Sequence, residues 1–255
     1  MDYVIAIPSY KRANKQLTLD YLERIGWNKE LTMMSVQTEE DYRDYQNAGI
    51  DKRVGKLIYR QGDNLSDNLN TLLEANPVGS KILFLDDDCY SIQKLENGKL
   101  KDLETVKEID DLVEYGFNLA EKHKTIVWGG YPCPNAFFMR DAYRDRFIVV
   151  SAMIGIINTE LRFDRTFPTK MDFEFCCQVI RKYGACIRLD NYTAKSQSHS
   201  KGGCFEFWQD EKEVVDTANR LVKKYPDLIK SNPARVGEVK MAEKKYEGFV
   251  QESLF

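Results

Sequence analysis

The chain has 255 residues, 43% hydrophobic and 30% charged, with 15 glycines, 7 prolines and a formal net charge of −3. That length and balance suit one α/β domain with its own core, and exclude disordered, collagen-like and disulfide-stapled classes. The small acidic excess argues against a dedicated nucleic-acid binder, whose domains carry a basic surplus; it leaves room for local basic patches at residues 11–15 and 140–146, which can equally be solvated faces. The six cysteines, Cys89, Cys133, Cys176, Cys177, Cys186 and Cys204, form no C-x-x-C pair and read as reduced thiols. With no basic leader and no run of ~18 apolar residues, the expectation is a cytoplasmic protein with no membrane segment.

Short apolar runs alternate with helical patterns through the first half, the sign of βα units and a mixed, mainly parallel sheet flanked by helices in one domain over 1–255. Residues 3–7 read as a buried strand, followed by Pro8-Ser9-Tyr10 and a helix over about 14–25 with Leu17, Tyr21, Leu22 and Ile25 on one face. A strand at 31–37 precedes a helix that Thr38 caps and Gly49 terminates, and 54–59 is a third strand. A helix over about 66–74 and a turn at Pro77-Val78-Gly79 lead to the strand 81–85. Residues 103–122 form a long amphipathic helix with Val106, Ile109, Val113 and Phe117 inward, then a strand at 125–128 and a second apolar run at 147–158. The spacing predicts a helix over 172–183 ended by Gly184, a strand at 186–189, a polar loop at 193–203, a helix over about 210–224 and a charged tail. The chain divides into residues 1–100, residues 101–209 and a helical tail over 210–255.

Asp86, Asp87 and Asp88 follow directly on the all-apolar strand 81–85. They therefore sit at the carboxyl edge of the sheet, where open α/β sheets bind ligands. Like charges at one edge are costly without a cation, and two carboxylates one residue apart can share a hard divalent ion, Mg²⁺ or Mn²⁺, that also takes phosphate oxygens. The alternative is an acidic turn that caps the next element. Phosphatases with an aspartyl nucleophile normally carry Asp-x-Asp on the first strand; here that strand ends in Ile7-Pro8-Ser9-Tyr10-Lys11-Arg12, which tells against that class.

The Ile-Pro-Ser-Tyr-Lys-Arg end of the first strand, an Asn-rich helix and Leu-Phe-Leu-Asp-Asp-Asp together resemble the GT-A glycosyltransferases, especially the inverting family that includes many bacterial sugar transferases. The resemblance implies donor contacts at Pro8, Ser9, Tyr10 and Arg12, with Asp67 or Asn68 reaching the base or ribose. It implies metal ligands at Asp86 and Asp88 with Asp87 between them on the donor, His199 as third ligand, and Lys201 with Gly202 on the diphosphate. Asp172 matches the family's acceptor base, although Met171 stands where the family has a glutamate; capping of its helix is the plainer role.

A narrower resemblance is to the glycosyltransferases associated with TET-like pyrimidine oxygenases of phages and the base J pathway, which put sugars on hydroxymethylpyrimidines in DNA. It extends through Trp128-Gly129-Gly130-Tyr131-Pro132, residues 134–139, Arg188 and residues 199–203. It implies that Trp128, Gly129, Gly130, Asn135 and Arg140 border the acceptor, where aromatics stack on an extruded base and arginines hold phosphates; Trp128, Phe137 and Phe138 can instead be core aromatics. The expectation is metal-dependent, inverting transfer from a nucleotide-sugar such as a UDP-sugar to hydroxymethylcytosine or hydroxymethyluracil in DNA, by a bacterial or phage-encoded enzyme. The alternatives are a glycan or lipid-linked acceptor, and a non-catalytic cation- or nucleotide-binding module.

Overall fold

The computed structural model describes residues 2–145, 148–197 and 210–242. Strands β1 (Val4–Pro8), β2 (Thr32–Val36), β3 (Lys56–Tyr59) and β4 (Lys81–Leu85) pair in parallel in the order β3-β2-β1-β4. Helices α1 (Leu17–Arg24), α2 (Glu39–Asn47) and α3 (Leu65–Glu74) make the crossovers. The predicted punctuation holds: the Thr38 hydroxyl accepts the Asp41 amide N–H, and Gly49 takes a left-handed φ of 75°.

Beyond β4 the sheet continues through β9 (Met153–Ile157), β7 (Val127–Tyr131), β10 (Ile187–Ser196), β5 (Cys89–Glu96) and β6 (Lys99–Asp102), with β8 (Tyr143–Arg144) on β10. Among the described residues this is a ten-stranded sheet. Because β9 is antiparallel to both β4 and β7, β4 and β7 run the same way and end at the same edge. The sheet is mixed and mainly parallel in strand direction, and the chain is a single α/β domain. Helices α1, α2 and α4 (Val106–Lys122) cover one face; α3, α5 (Met171–Tyr183) and α6 (Glu211–Lys224) cover the other.

Several boundaries differ from the sequence reading. The hairpin β5–β6 went unpredicted although its turn is Asn97-Gly98; both residues have positive φ, 50° and 75°, as a twisted two-residue hairpin requires. Among the described residues of the apolar run at 147–158, Met153–Ile157 form the strand. The expected polar loop at 193 is still sheet, since β10 runs on to Ser196 against β5. The tail contains a further pair, β11 (Ile229–Ser231) and β12 (Val239–Met241).

Trp128 is a core residue and is withdrawn as an acceptor contact. It is 0% exposed and meets Phe117 edge-on with centroids 5.5 Å apart. Gly155 lies so close beneath it that a Cβ there would come within 2.0 Å of the indole Nε1. Gly129 and Gly130 are withdrawn for the same reason: both are buried, and a Cβ on them would strike Val149 and Met153 respectively. Gly155 and Gly116 make room for the indole, while Gly129 and Gly130 make room for Val149 and Met153. Trp128→Ala is therefore expected to lower unfolding stability by about 3–5 kcal/mol, the usual cost of emptying an aromatic site, read as an earlier urea midpoint at unchanged m.

Candidate active site

Leu85 ends β4 in the core, and the next three residues turn the chain across the sheet edge toward β5. This turn is stitched on several sides. The Asp86 amide donates to the Ala152 carbonyl (3.1 Å), the Thr18 amide donates to the Asp87 carbonyl (3.3 Å), and the Gln197 amide donates to the Asp88 carbonyl (3.2 Å). Thr18 also donates its hydroxyl to the Asp86 carbonyl and accepts the Cys89 amide at 2.9 Å, so the start of α1 clamps both ends of the run.

The three carboxylates have separate fates. Asp87 turns inward, 4% exposed, where Ser9 and Arg12 occupy its two oxygens. Burial raises it, against Arg12 and the Ser9 hydroxyl. This corrects the expected donor contacts at Asp87 and Ser9: both are buried, and they hold the backbone that presents their neighbours. Asp88 is half-buried with Arg12 Nη1 at 3.0 Å. Asp86 reaches solvent, yet protein surrounds it closely; thin hydration first, then Asp88 and Asp87, pushes its carboxyl well above the usual range.

Arg12 is thus an ion-pair partner of the run, not a free surface charge. Burial alone would lower its guanidinium, but Asp87 and Asp88 more than offset this and hold it above its ordinary value. Tyr45 on α2 completes the arrangement: its hydroxyl bonds the Ser9 Oγ at 2.6 Å and accepts the Arg12 amide at 3.1 Å. The neighbouring Asp41 accepts the Lys11 amide (3.2 Å), where the chain takes a left-handed φ of 53°. Pro8 is buried and Tyr10 half-buried at the outer end of this loop. The sequence reading missed Thr18, Asp41 and Tyr45; their signal was polar groups on the inward faces of α1 and α2.

The α3 residues also act from behind. Asn68, 2% exposed, donates its side-chain amide to the Ser9 carbonyl (3.1 Å) while its Oδ1 accepts the Ser35 hydroxyl. Asp67 has Arg165 Nε at 2.8 Å on one oxygen and the Asp63 amide at 2.9 Å on the other. Neither presents a free group to a base or ribose, which corrects both donor expectations.

Asp172 stands in the first turn of α5, whose N-cap position is Lys170, so it is not the cap. One of its oxygens accepts the Phe173 amide at 2.9 Å. Loss of hydration raises its carboxyl to about 6, opposed by that amide and by Lys170 and reinforced by Glu238. Its charge adds to the rise of Asp86, after burial and the neighbouring Asp88 and Asp87. Lys170, 2% exposed with a left-handed φ of 57°, is held down by burial against the pull of Glu238 and Asp172.

Asn135 and Arg140 lie exposed on the excursion between β7 and β8. Asn135 Oδ1 accepts the Phe137 amide (3.0 Å), and Arg140 Nη1 donates to the carbonyls of Phe137 (3.0 Å) and Met139 (2.6 Å), giving a built turn that displays Phe137 and Phe138, 79% and 58% exposed. His199, Lys201 and Gly202 lie outside the described residues; the chain enters their segment from Gln197, bonded to Asp88.

Among the described residues, no group of three or more His, Cys, Asp or Glu side chains comes together as a metal cage. The aspartate run nonetheless fits a hard divalent ion. Asp86 and Asp88 carry crowded carboxylates that a cation would relieve, and ions of the Mg²⁺ kind are held by one or two carboxylates plus phosphate oxygens and water.

No protein-family model matches the chain, and no curated protein matches it in sequence. Solved structures share its fold. S. aureus TarS 1-349 is 12% identical with a TM-score of 0.54, over 87% of this chain and 66% of that one. The mannosyltransferase PcManGT from Pyrobaculum calidifontis, in complex with GDP-Man and Mn²⁺, is 12% identical with a TM-score of 0.52, over 87% of this chain and 64% of that one. The chain spans slightly under two thirds of either structure's length. The arrangement common to them is the GT-A fold.

In carboxyl ¹³C NMR of the metal-free protein, Asp172 is expected to titrate at about 6. Lys170→Met should move that midpoint upward, because it removes a positive charge that favours the ionised form. A midpoint near the ordinary ~3.9 would contradict the dry setting described for α5.

Proposed function

We propose that this chain is a nucleotide-sugar-dependent glycosyltransferase that uses a divalent cation and transfers with inversion. The observation that carries the reading is the placement of Asp86 and Asp88 at the carboxyl end of β4, braced by Arg12 from the loop after β1, at the sheet edge where β7 also ends. Asp86 suits a cation-bound diphosphate, and Asp172, in the first turn of α5, suits an attacking hydroxyl. Asp86 and Asp88 would hold Mn²⁺ or Mg²⁺, which supplies charge neutralisation for the departing nucleoside diphosphate. Tyr10 and Arg12 border the donor nucleotide, on a backbone set by Pro8, Ser9, Asp87, Asn68 and Tyr45. Lys201, Gly202 and His199 would complete the diphosphate and cation contacts. Asp172 takes the proton of the acceptor hydroxyl as its oxygen attacks the anomeric carbon from the face opposite the diphosphate; the carbon–oxygen bond to the diphosphate breaks with its electron pair.

For the acceptor we propose a hydroxymethylated pyrimidine in DNA, on the strength of the sequence resemblance. Supporting it, the β7–β8 excursion leaves the same sheet edge as the aspartate run and displays Phe137 and Phe138 beside Arg140. A second reading keeps the donor site and takes a glycan acceptor. It is favoured by the charge of residues 132–142, where Arg140 is matched by Asp141 and the excursion has no basic surplus.

The test incubates the protein with Mn²⁺, a mixture of UDP- and GDP-sugars, and DNA containing hydroxymethylcytosine or hydroxymethyluracil, then weighs the digested nucleosides. A hexose or pentose shift on one nucleoside is the expected result; donor hydrolysis with unmodified DNA would move the acceptor to a glycan, and neither would refute glycosyl transfer. Asp88→Ala is expected to abolish metal-dependent transfer at unchanged thermal stability, and retained activity would remove the cation from Asp88. Asp172→Asn should lower turnover by about 10²–10⁴-fold, the usual contribution of a general base, with donor KM little changed.

A further inference from the structure

Glu174 carries a carboxylate that the proposed reaction does not use, and it is 0% exposed. Both of its oxygens are occupied. Oε1 accepts from Lys224 Nζ and from the Tyr225 hydroxyl, each at 2.7 Å, and Oε2 accepts from Gln178 Nε2 at 2.7 Å. Lys224 also reaches Asp164 at 2.7 Å, in the segment between β9 and α5. A carboxylate this deep is tolerated because it is paired and fully hydrogen-bonded. Two of its partners, Lys224 and Tyr225, come from the end of α6, remote in sequence from α5.

The helix geometry turns this junction into a constraint on the site. Residues two apart on an α-helix are rotated by about 200°, so their side chains leave it about 160° apart. Glu174 is bonded to the end of α6, so Asp172, two residues earlier, leaves the opposite side of α5. The same first turn begins at Lys170, whose carbonyl accepts the Glu174 amide at 3.1 Å and whose backbone is left-handed, with no side-chain cap to steady it. The Glu174 cluster instead ties this first turn to the end of α6 through side chains.

We infer that Glu174 is a positioning residue for transfer, acting through its contacts with Lys224 and Tyr225 to fix the rotation of α5 and hence the aim of Asp172. The inference rests on the reading of Asp172 as the base. The C-terminal helix α6 is thereby part of the reaction scaffold, since it holds the far side of the helix that carries the base.

The test is a double-mutant cycle on transfer from the nucleotide-sugar donor and to the acceptor identified by the mass-shift screen. Glu174→Gln keeps the volume and the Tyr225 bond but removes the charge that holds Lys224. It is expected to lower kcat by about 10- to 100-fold, the scale of a small misplacement of a reacting group, with donor KM and the thermal shift by UDP and Mn²⁺ unchanged. In an Asp172→Asn background the same substitution should have little further effect, because no base remains to be aimed. Equal losses in both backgrounds, or full turnover in a folded Glu174→Gln protein, would overturn the inference. If Glu174→Gln does not fold, Tyr225→Phe removes one hydroxyl from the same cluster and is read in the same cycle. Full turnover in Asp172→Asn would strike the base assignment and this inference with it; turnover lost there but kept in the Glu174 and Tyr225 variants strikes this inference alone.

Discussion

Three aspartates in succession at one sheet edge repel one another, and the arrangement of the site follows from how that repulsion is managed. Asp87 is drawn inward to Arg12 and Ser9, and this single inward turn sends Asp86 and Asp88 outward on either side. Arg12 answers two of the three charges, so the loop after β1 cannot leave the edge of β4 without stranding a buried carboxylate. Tyr45 and Asn68 then brace that loop from α2 and α3, on opposite faces of the sheet. What remains uncompensated is the charge of Asp86, which makes this edge receptive to a cation and whatever phosphate the cation brings.

The second half of the chain supplies the facing wall. Because β9 runs against β4 and β7, the chain can carry β4 and β7 to a common edge and return to it at the start of α5. Asp172 stands there beside a buried lysine, dry enough for its carboxyl to rise to about 6. Ionised at neutral pH yet basic for an aspartate, it suits proton abstraction better than an ordinary surface carboxylate. Its helix is steadied from the far side by α6, so elements far apart in sequence determine one side chain's direction.

Much of this was legible before any coordinates. The βα alternation, the strand 81–85, the capped helix after Thr38 and the aspartates at a carboxyl edge follow from local patterns of apolarity and punctuation, which depend on a few neighbouring residues. Other elements escaped for identifiable reasons. The Asn97-Gly98 turn is a strong local signal that was overlooked, whereas the length of β10 is set by its partner β5, and nothing near Thr193 announces that pairing. Trp128 belongs to the same group: an aromatic before two glycines suits a ligand surface or a tightly packed strand, and only the approach of Gly155 and Gly116 decides for packing.

The sequence by itself determined the fold class and the chemistry brought to the edge: carboxylates after an apolar strand, an arginine after the first, an aspartate at a helix start. It also determined that these residues share one side of the sheet, because strand direction and crossover handedness are nearly fixed in such folds. Only the tertiary structure decided which of them point out. Asp86 and Asp87 are one residue apart yet one reaches solvent and the other is buried; Asp67 and Asn68 lie on the helix expected to meet a nucleotide yet are taken up by Arg165, Ser9 and Ser35. The physical reason is that a polar group is free to bind a ligand only when no nearer partner satisfies it, and those partners arrive from elements that the local sequence does not describe.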